Sequence, residues 1–252
     1  MRGLIFCCIF GSVAAAAIAA DLPPGEIIQK FAAKEAEFRK ARENYTYRQS
    51  VKMEELDPSG SSVMGKWEEV DDITFGPNKK REENVIYAPM VTLRNLTLTP
   101  QDLQDLRNVQ PFVLTTDELS KYDIQYTGKE KLDEIDCYRF AVHPTKMVKG
   151  ERYFEGDIWV DDRDLQIVKT FGKGVGVQKK SDDNQFPKFE TYREQIDGKY
   201  WFPTYTRAND TLHFRDLNQR IRMTVKYENY KRFGSETSVT FGDEVTDTKP
   251  KK

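Results

Sequence analysis

From Tyr45 onward the chain alternates apolar and polar residues in long runs. Over residues 45–55 the odd positions hold Tyr45, Tyr47, Val51 and Met53, and the even ones Thr46, Arg48, Ser50, Lys52 and Glu54. Successive side chains of an extended chain point to opposite faces, so this is a strand with one dry and one wet face. The period recurs at 63–75 (Trp67, Ile73 and Phe75 on one face), 81–87, 122–126 and 135–142 (Tyr138, Phe140 and Val142 aligned). It returns at 189–196, 199–207, 211–215 and 219–230, the last with Ile221, Met223, Val225 and Tyr227 together. The clearest unit is 150–170. Phe154, Ile158 and Val160 share one side of its first arm, and Asp161-Asp162-Arg163-Asp164 makes a polar turn. Leu165, Ile167 and Phe171 are expected on one face of the return arm.

Turn chemistry separates the runs. Asp57-Pro58-Ser59-Gly60, Gly76-Pro77-Asn78 and Asp197-Gly198 are turns, the last suited to the positive φ of a tight hairpin. Gly172 to Gly176 and Ser181 to Asn184 read as a flexible connection, and Pro203 marks an edge or bulge. Two stretches follow a helical period instead. Pro24-Gly25-Glu26 opens a helix to about residue 43, with Ile27, Ile28, Phe31, Ala32 and Phe38 as its stripe and Lys30, Lys34, Glu35, Glu37, Arg39 and Lys40 covering the rest. Thr99-Pro100 caps a second, in which Leu103, Leu106 and Val109 recur. Pro111 ends it, Phe112-Val113-Leu114 forms an apolar knot, and a short helix starts at Thr116. Ten or eleven strands joined mostly by hairpins imply an antiparallel meander, which curls at that size. The expected class is mainly β with flanking helices: a curved antiparallel sheet forming an incomplete barrel, closed by the N-terminal helix and the short helical insert.

Residues 1–20 read as a secretory signal: Arg2, an uncharged apolar run from Leu4 to Ile18, and Ala17-Ile18-Ala19 as a cleavage site. The mature start is then Ala20 or Asp21. An uncleaved anchor is the alternative, although the run is shorter than the roughly 20 residues of a membrane span. Residues 21–233 form one domain, and 234–252 a polar tail. Without Arg2, 38 Lys and Arg stand against 41 Asp and Glu, a net charge of −3 that gives no support for nucleic-acid binding. Cys137 is the one cysteine outside the first twenty residues and is expected to be buried. His143 and His213 have no companion at metal spacing, and no Gly-x-Ser-x-Gly elbow is present, so no catalytic residue, metal or cofactor is assigned. The acids Asp157, Asp161, Asp162 and Asp164 suit a solvated turn better than a Ca²⁺ site, because Arg163 sits among them.

The order of elements, with Glu155-Gly156-Asp157-Ile158-Trp159-Val160-Asp161 and Leu165-Gln166-Ile167-Val168, resembles the periplasmic lipoprotein-carrier superfamily (LolA-like and RseB-like proteins). That group includes outer-membrane lipoprotein-sorting proteins and sigma-E regulatory sensors. The resemblance implies a half-barrel with helices over its mouth, a cavity for lipid or lipoprotein acyl chains, and an inner- or outer-membrane protein partner. The Arg-Pro pair expected on an early strand of the sorting chaperone is Gly76-Pro77 here, so no gating arginine carries over. The cavity is expected to be lined by Tyr47, Val51, Met53, Trp67, Phe140 and Ile158. Leu103, Leu106, Val109, Phe112 and Leu114 form either a mobile lid or a fixed plug. A periplasmic or secreted carrier is the leading reading; a sensor or interaction protein of the same fold is the alternative.

Overall fold

The computed structural model describes residues 22–178 and 186–233. The expected signal segment, residues 181–184 of the expected connection, and the tail lie outside the described residues. Helix α1 (Pro24–Arg42) opens the described chain, with Pro24 at its first turn and Arg39, Lys40 and Arg42 in its last. Strands β1 (Tyr45–Leu56), β2 (Val63–Phe75) and β3 (Arg81–Tyr87) follow. The insert then carries a short helix α2 (Pro100–Gln104), a π-helical turn (Asp105–Val109) and a 3₁₀ turn (Leu119–Lys121). Seven strands complete the chain: β4 (Tyr122–Leu132), β5 (Ile135–Pro144), β6 (Tyr153–Asp161), β7 (Ile167–Val175), β8 (Phe189–Gln195), β9 (Trp201–His213) and β10 (Asn218–Arg232).

All ten described strands form one antiparallel sheet in the order β3-β2-β1-β10-β9-β8-β7-β6-β5-β4. Hairpins make every neighbour pair except β1–β10, where the two ends of the meander meet with Val51 opposite Val225 and Met53 opposite Met223. The sheet is mainly β's expected incomplete barrel: β3 and β4 stay unpaired to each other, and the insert crosses between them. Both α1 and the insert lie on the same face. Ile27, Phe31 and Ala32 of α1 and Leu106, Val109, Phe112 and Leu114 of the insert join Phe140, Val142, Phe154, Ile158 and Val160 in one core. Phe31 packs at a tilt against Phe140 with ring centres 5.5 Å apart, and Phe112 stacks on Phe154 at 4.5 Å.

Several local expectations are corrected. Glu35, read as a surface residue of α1, is fully buried. Phe171 does not share a face with Ile167. A bulge between Trp159 and Val160 shifts the register, so Ile167 and Thr170 turn inward and Phe171, 41% exposed, turns out. Gly172 and Gly174 belong to β7 rather than a flexible connection. A Cβ at Gly172 would strike the Phe154 ring, so the glycine is there for close packing. Residues 211–213 continue β9 instead of forming a separate strand. The insert's second helix is only the 3₁₀ turn at Leu119–Lys121. Cys137 is buried, and burial beside Asp161 and Asp162 pushes its thiol up to about 12. The outward face carries a small cluster of its own, Cys137, Trp159 and Val168, with Arg139 and Lys169 over the Trp159 ring at 5.1 and 4.9 Å.

Candidate functional site: a divided trough

The inner face of β1 and β10 forms a trough. Tyr47, Val51 and Met53 line it from β1, and Tyr227, Val225 and Met223 from β10. The insert's π-helical turn lies across its middle, with Leu106 and Val109 packed in the core with Val51 and Val225. A π turn widens the backbone by one residue and is frequent at functional sites. Two gaps remain, one on each side of this bar.

The first gap has a volume of about 220 Å³. Met53, Trp67, Leu98, Leu106, Leu212 and Met223 wall it. Its carboxylates are already engaged. Asp102 accepts from Thr99 in a capping box, and Asp105 accepts from Arg152 at 2.8 and 2.6 Å. Burial pushes the Asp105 carboxyl up and Arg152 draws it back. Gln110 differs. Its side chain is 4% exposed, its Nε2 donates to the Met223 sulfur at 3.6 Å, and its Oε1 has no hydrogen-bond partner among the described residues. This gap is therefore an apolar hole with one free amide oxygen in its lining.

The second gap, also about 220 Å³, is aromatic and cationic: Tyr47, Phe75, Tyr227 and Tyr230 with Arg39, Arg42, Lys79, Arg81 and Arg107.

No protein-family model and no curated protein matches the sequence. Solved structures do. The chain is similar to a DUF1329 family protein from Desulfovibrio piger, at 14% identity and a TM-score of 0.40, over 84% of this chain and 94% of that one. It is also similar to a LolA superfamily protein from Nitrosomonas europaea, at 12% identity and a TM-score of 0.37, over 83% and 93%. Likenesses this distant assign no function.

The residues expected to line a cavity divide three ways. Met53 and Trp67 face the apolar gap, and Tyr47 faces the cationic one. Val51, Phe140 and Ile158 are covered by α1 and the insert. Of the expected lid, Leu106 walls the apolar gap, Leu103 is partly buried, and Val109, Phe112 and Leu114 are core.

The insert is fastened along its length. The Glu55 carboxylate accepts from the backbone N–H of Arg94, Asn95 and Leu96 at 2.7–2.8 Å. Thr191 donates to the Gln110 carbonyl at 2.9 Å. Arg193 donates to the Phe112 carbonyl while holding Glu35 at 3.0 and 3.1 Å, and Glu35 accepts from the Ile167 N–H at 3.2 Å. Sequence reasoning missed Glu35, Arg193, Glu55 and Gln110. Each is a polar residue in a polar pattern, and only the fold shows it to be buried.

The two histidines lie apart from both gaps. His143 is 3.6 Å from Glu155, with both side chains substantially exposed, and His213 meets Asn218 at 2.8 Å. The Asp161 carboxylate accepts from the N–H groups of Arg163 and Asp164, closing the turn. No described helix is long and apolar enough to cross a membrane.

Proposed function

We propose that the protein is an envelope binding protein that takes a single apolar chain, the acyl chain of a lipid or lipoprotein, into the gap beside Met53, Leu98 and Met223. The observation that carries this is the apolar gap itself, with the unpartnered Gln110 oxygen in its wall. Its volume exceeds the about 150 Å³ that holds one benzene ring. It falls short of the roughly 300 Å³ at which pockets for whole drug-sized ligands begin. One chain segment fits and a complete multi-chain lipid does not. At ~0.8 kcal/mol per buried methylene, six methylenes supply roughly 5 kcal/mol before the cost of association. Gln110 adds a hydrogen bond to a hydroxyl or amide on the same ligand. Export by the N-terminal segment, with a mature start at Ala20 or Asp21, belongs to this reading, as does a role without chemistry.

Displacement of a fluorescent fatty acid tests it. Wild type should bind at micromolar concentration, and Leu98→Asp should bind at least about tenfold more weakly, since one buried charge costs more than 1.4 kcal/mol. Circular dichroism should be unchanged. Native mass spectrometry of protein purified from membranes should show a co-purified lipid. If wild type binds no acyl probe, the carrier reading falls.

A second reading has its own observation. Val85, Ile86 and Tyr87 on the edge strand β3, with Met90 and Val91 after it, are 48–86% exposed. An uncovered apolar strand edge supports a sensor or interaction role. Ile86→Lys should then abolish capture of an envelope partner while acyl binding stays as in wild type.

A further inference from the structure

The cationic gap on the far side of the π turn is a separate structure. Five of its lining residues, Arg39, Arg42, Lys79, Arg81 and Arg107, carry positive charge, and one, Glu43, carries negative. Some of that charge is compensated. Arg39 pairs with Asp117 at 3.1 Å, and Arg81 and Arg107 share Glu83 at 3.0 and 2.8 Å. Two cations are left over. Arg42 has no ion pair or hydrogen bond among the described residues, although its guanidinium sits close enough to Tyr47 and Glu35 to feel both. Lys79 donates to the Asn44 side-chain oxygen at 3.2 Å and meets no described carboxylate.

Both placements are unusual. Lys79 occupies a left-handed backbone conformation, φ 60°, which costs energy for a residue with a side chain. The turn thereby aims a lysine at the gap where a glycine would be easier. Arg42 ends α1, where the helix dipole favours a cation. That accounts equally for Arg39 and Lys40, and Lys40 is exposed. It does not account for a guanidinium that lines the gap and feels Tyr47 and Tyr230. Burial disfavours its charge there, and Arg193 and Arg39 add repulsion. A surplus of cations facing aromatic walls is what an oxyanion on an apolar body completes: the charge finds partners and the body finds rings.

We propose that this gap binds a small organic oxyanion, a carboxylate or phosphate on an aromatic or apolar body, with Arg42 and Lys79 as its main contacts. The site does not depend on acyl binding next door. The bar formed by Leu106 and Gln110 on one side and Arg107 and Pro111 on the other keeps the two apart.

Phenyl phosphate, inorganic phosphate and benzyl alcohol are titrated into the full chain and followed by nuclear magnetic resonance. Phenyl phosphate should shift the signals of Tyr47, Tyr227 and Tyr230 and leave the methyls of Met53 and Met223 still. Arg42→Gln and Lys79→Gln should each weaken it about tenfold, the worth of one charge-assisted hydrogen bond. Added salt should weaken it as well. Lys79 is exposed, so Lys79→Gln keeps the test valid if Arg42→Gln fails to fold. Inorganic phosphate binding as tightly as phenyl phosphate assigns the site to free phosphate; weaker binding assigns it to an organic oxyanion. Benzyl alcohol binding as tightly as phenyl phosphate, or unchanged affinity in Lys79→Gln and in folded Arg42→Gln, overturns the proposal. A protein that binds phenyl phosphate here but no fatty acid loses its proposed function and keeps this site.

Discussion

Two halves of one sheet face are built from the same alternation and end up differently. Beneath α1 and the end of the insert, over β5 to β7, Phe31, Phe140, Phe154, Ile158, Val160 and Leu114 are shut off from water, and none of them lines either gap. Over β1 and β10 the face carries Tyr47, Val51, Met53, Met223 and Val225 but also buried Gln49, Glu55 and Gln219, and two openings survive. The strands make part of the difference, and the covering element makes the rest. Helix α1 offers Ile27, Phe31 and Ala32, which fill the pleats beneath them, while Phe38 joins a separate cluster beside the cationic gap. The insert is one narrow bar held by polar bolts at each end, so it covers the middle of the trough and leaves both sides open.

Breaking the filled half at its polar centre should cost the most. Glu35→Ala leaves Arg193 buried without a counter-charge and frees the hold on Ile167, a loss of about 3–5 kcal/mol by denaturant unfolding. The pair Glu35→Leu with Arg193→Met should recover most of it, because two apolar groups need no partner. A single-variant loss under about 1 kcal/mol would mean that water reaches the pair. Next in size is Phe112→Ala, which empties the space over Phe154 and costs about 3–4 kcal/mol. Acyl affinity in the folded variant should stay within twofold of wild type, since Phe112 walls neither gap. A large change would show that the two halves communicate.

The open half responds to smaller cuts. A Cβ on Gly174 would run into the Asp105 carboxylate and the Arg152 guanidinium that hold the π turn. Gly174→Ala should cost about 1–3 kcal/mol, the usual range for overpacking. Hydrogen exchange should quicken at residues 105–110 and stay slow at 154–160. Uniform quickening would contradict a separately fastened bar.

The halves were not equally legible in the sequence. Strands and α1 could be read because a period of two or of 3.6 repeats over many residues. Helix α1 emerges within a residue or two at its ends; the 150–170 hairpin emerges too, but its return arm runs on to Val175. The bulge at Trp159 and Val160 was invisible, because one extra residue inverts every later side chain without altering composition. The gaps were invisible for another reason. A void is a property of what lies across a face, and the pairing of Met53 with Met223 joins residues more than 150 apart in the sequence. The apolar content of the insert was readable; its Glu55, Thr191 and Arg193 bolts were not, since a buried Glu or Arg looks in sequence like any other.

The smallest effect is a gain, and it depends on pH. Asp71 faces the open half from β2, 4% exposed, with its Oδ1 unpartnered among the described residues. Burial first, then the charges of Glu69 and Glu83, push its carboxyl up to about 6, and Arg81 pulls back only in part. In the unfolded chain the group titrates near 3.9. Between about pH 4 and pH 6 the folded protein keeps a proton that the unfolded chain has lost, so stability falls as pH rises through that window. Above about pH 6 the charge is present in both states and the full penalty applies. Asp71→Asn removes the charge and nearly keeps the shape. It should stabilise the protein by roughly 1 kcal/mol at pH 8, with the advantage shrinking through pH 6 and vanishing below about pH 4. Paired urea titrations of wild type and variant at pH 4, 6 and 8 measure this. An advantage that grows toward low pH, or is flat, would show that Asp71 is ionised without penalty, as in a side chain reached by water from the cationic gap.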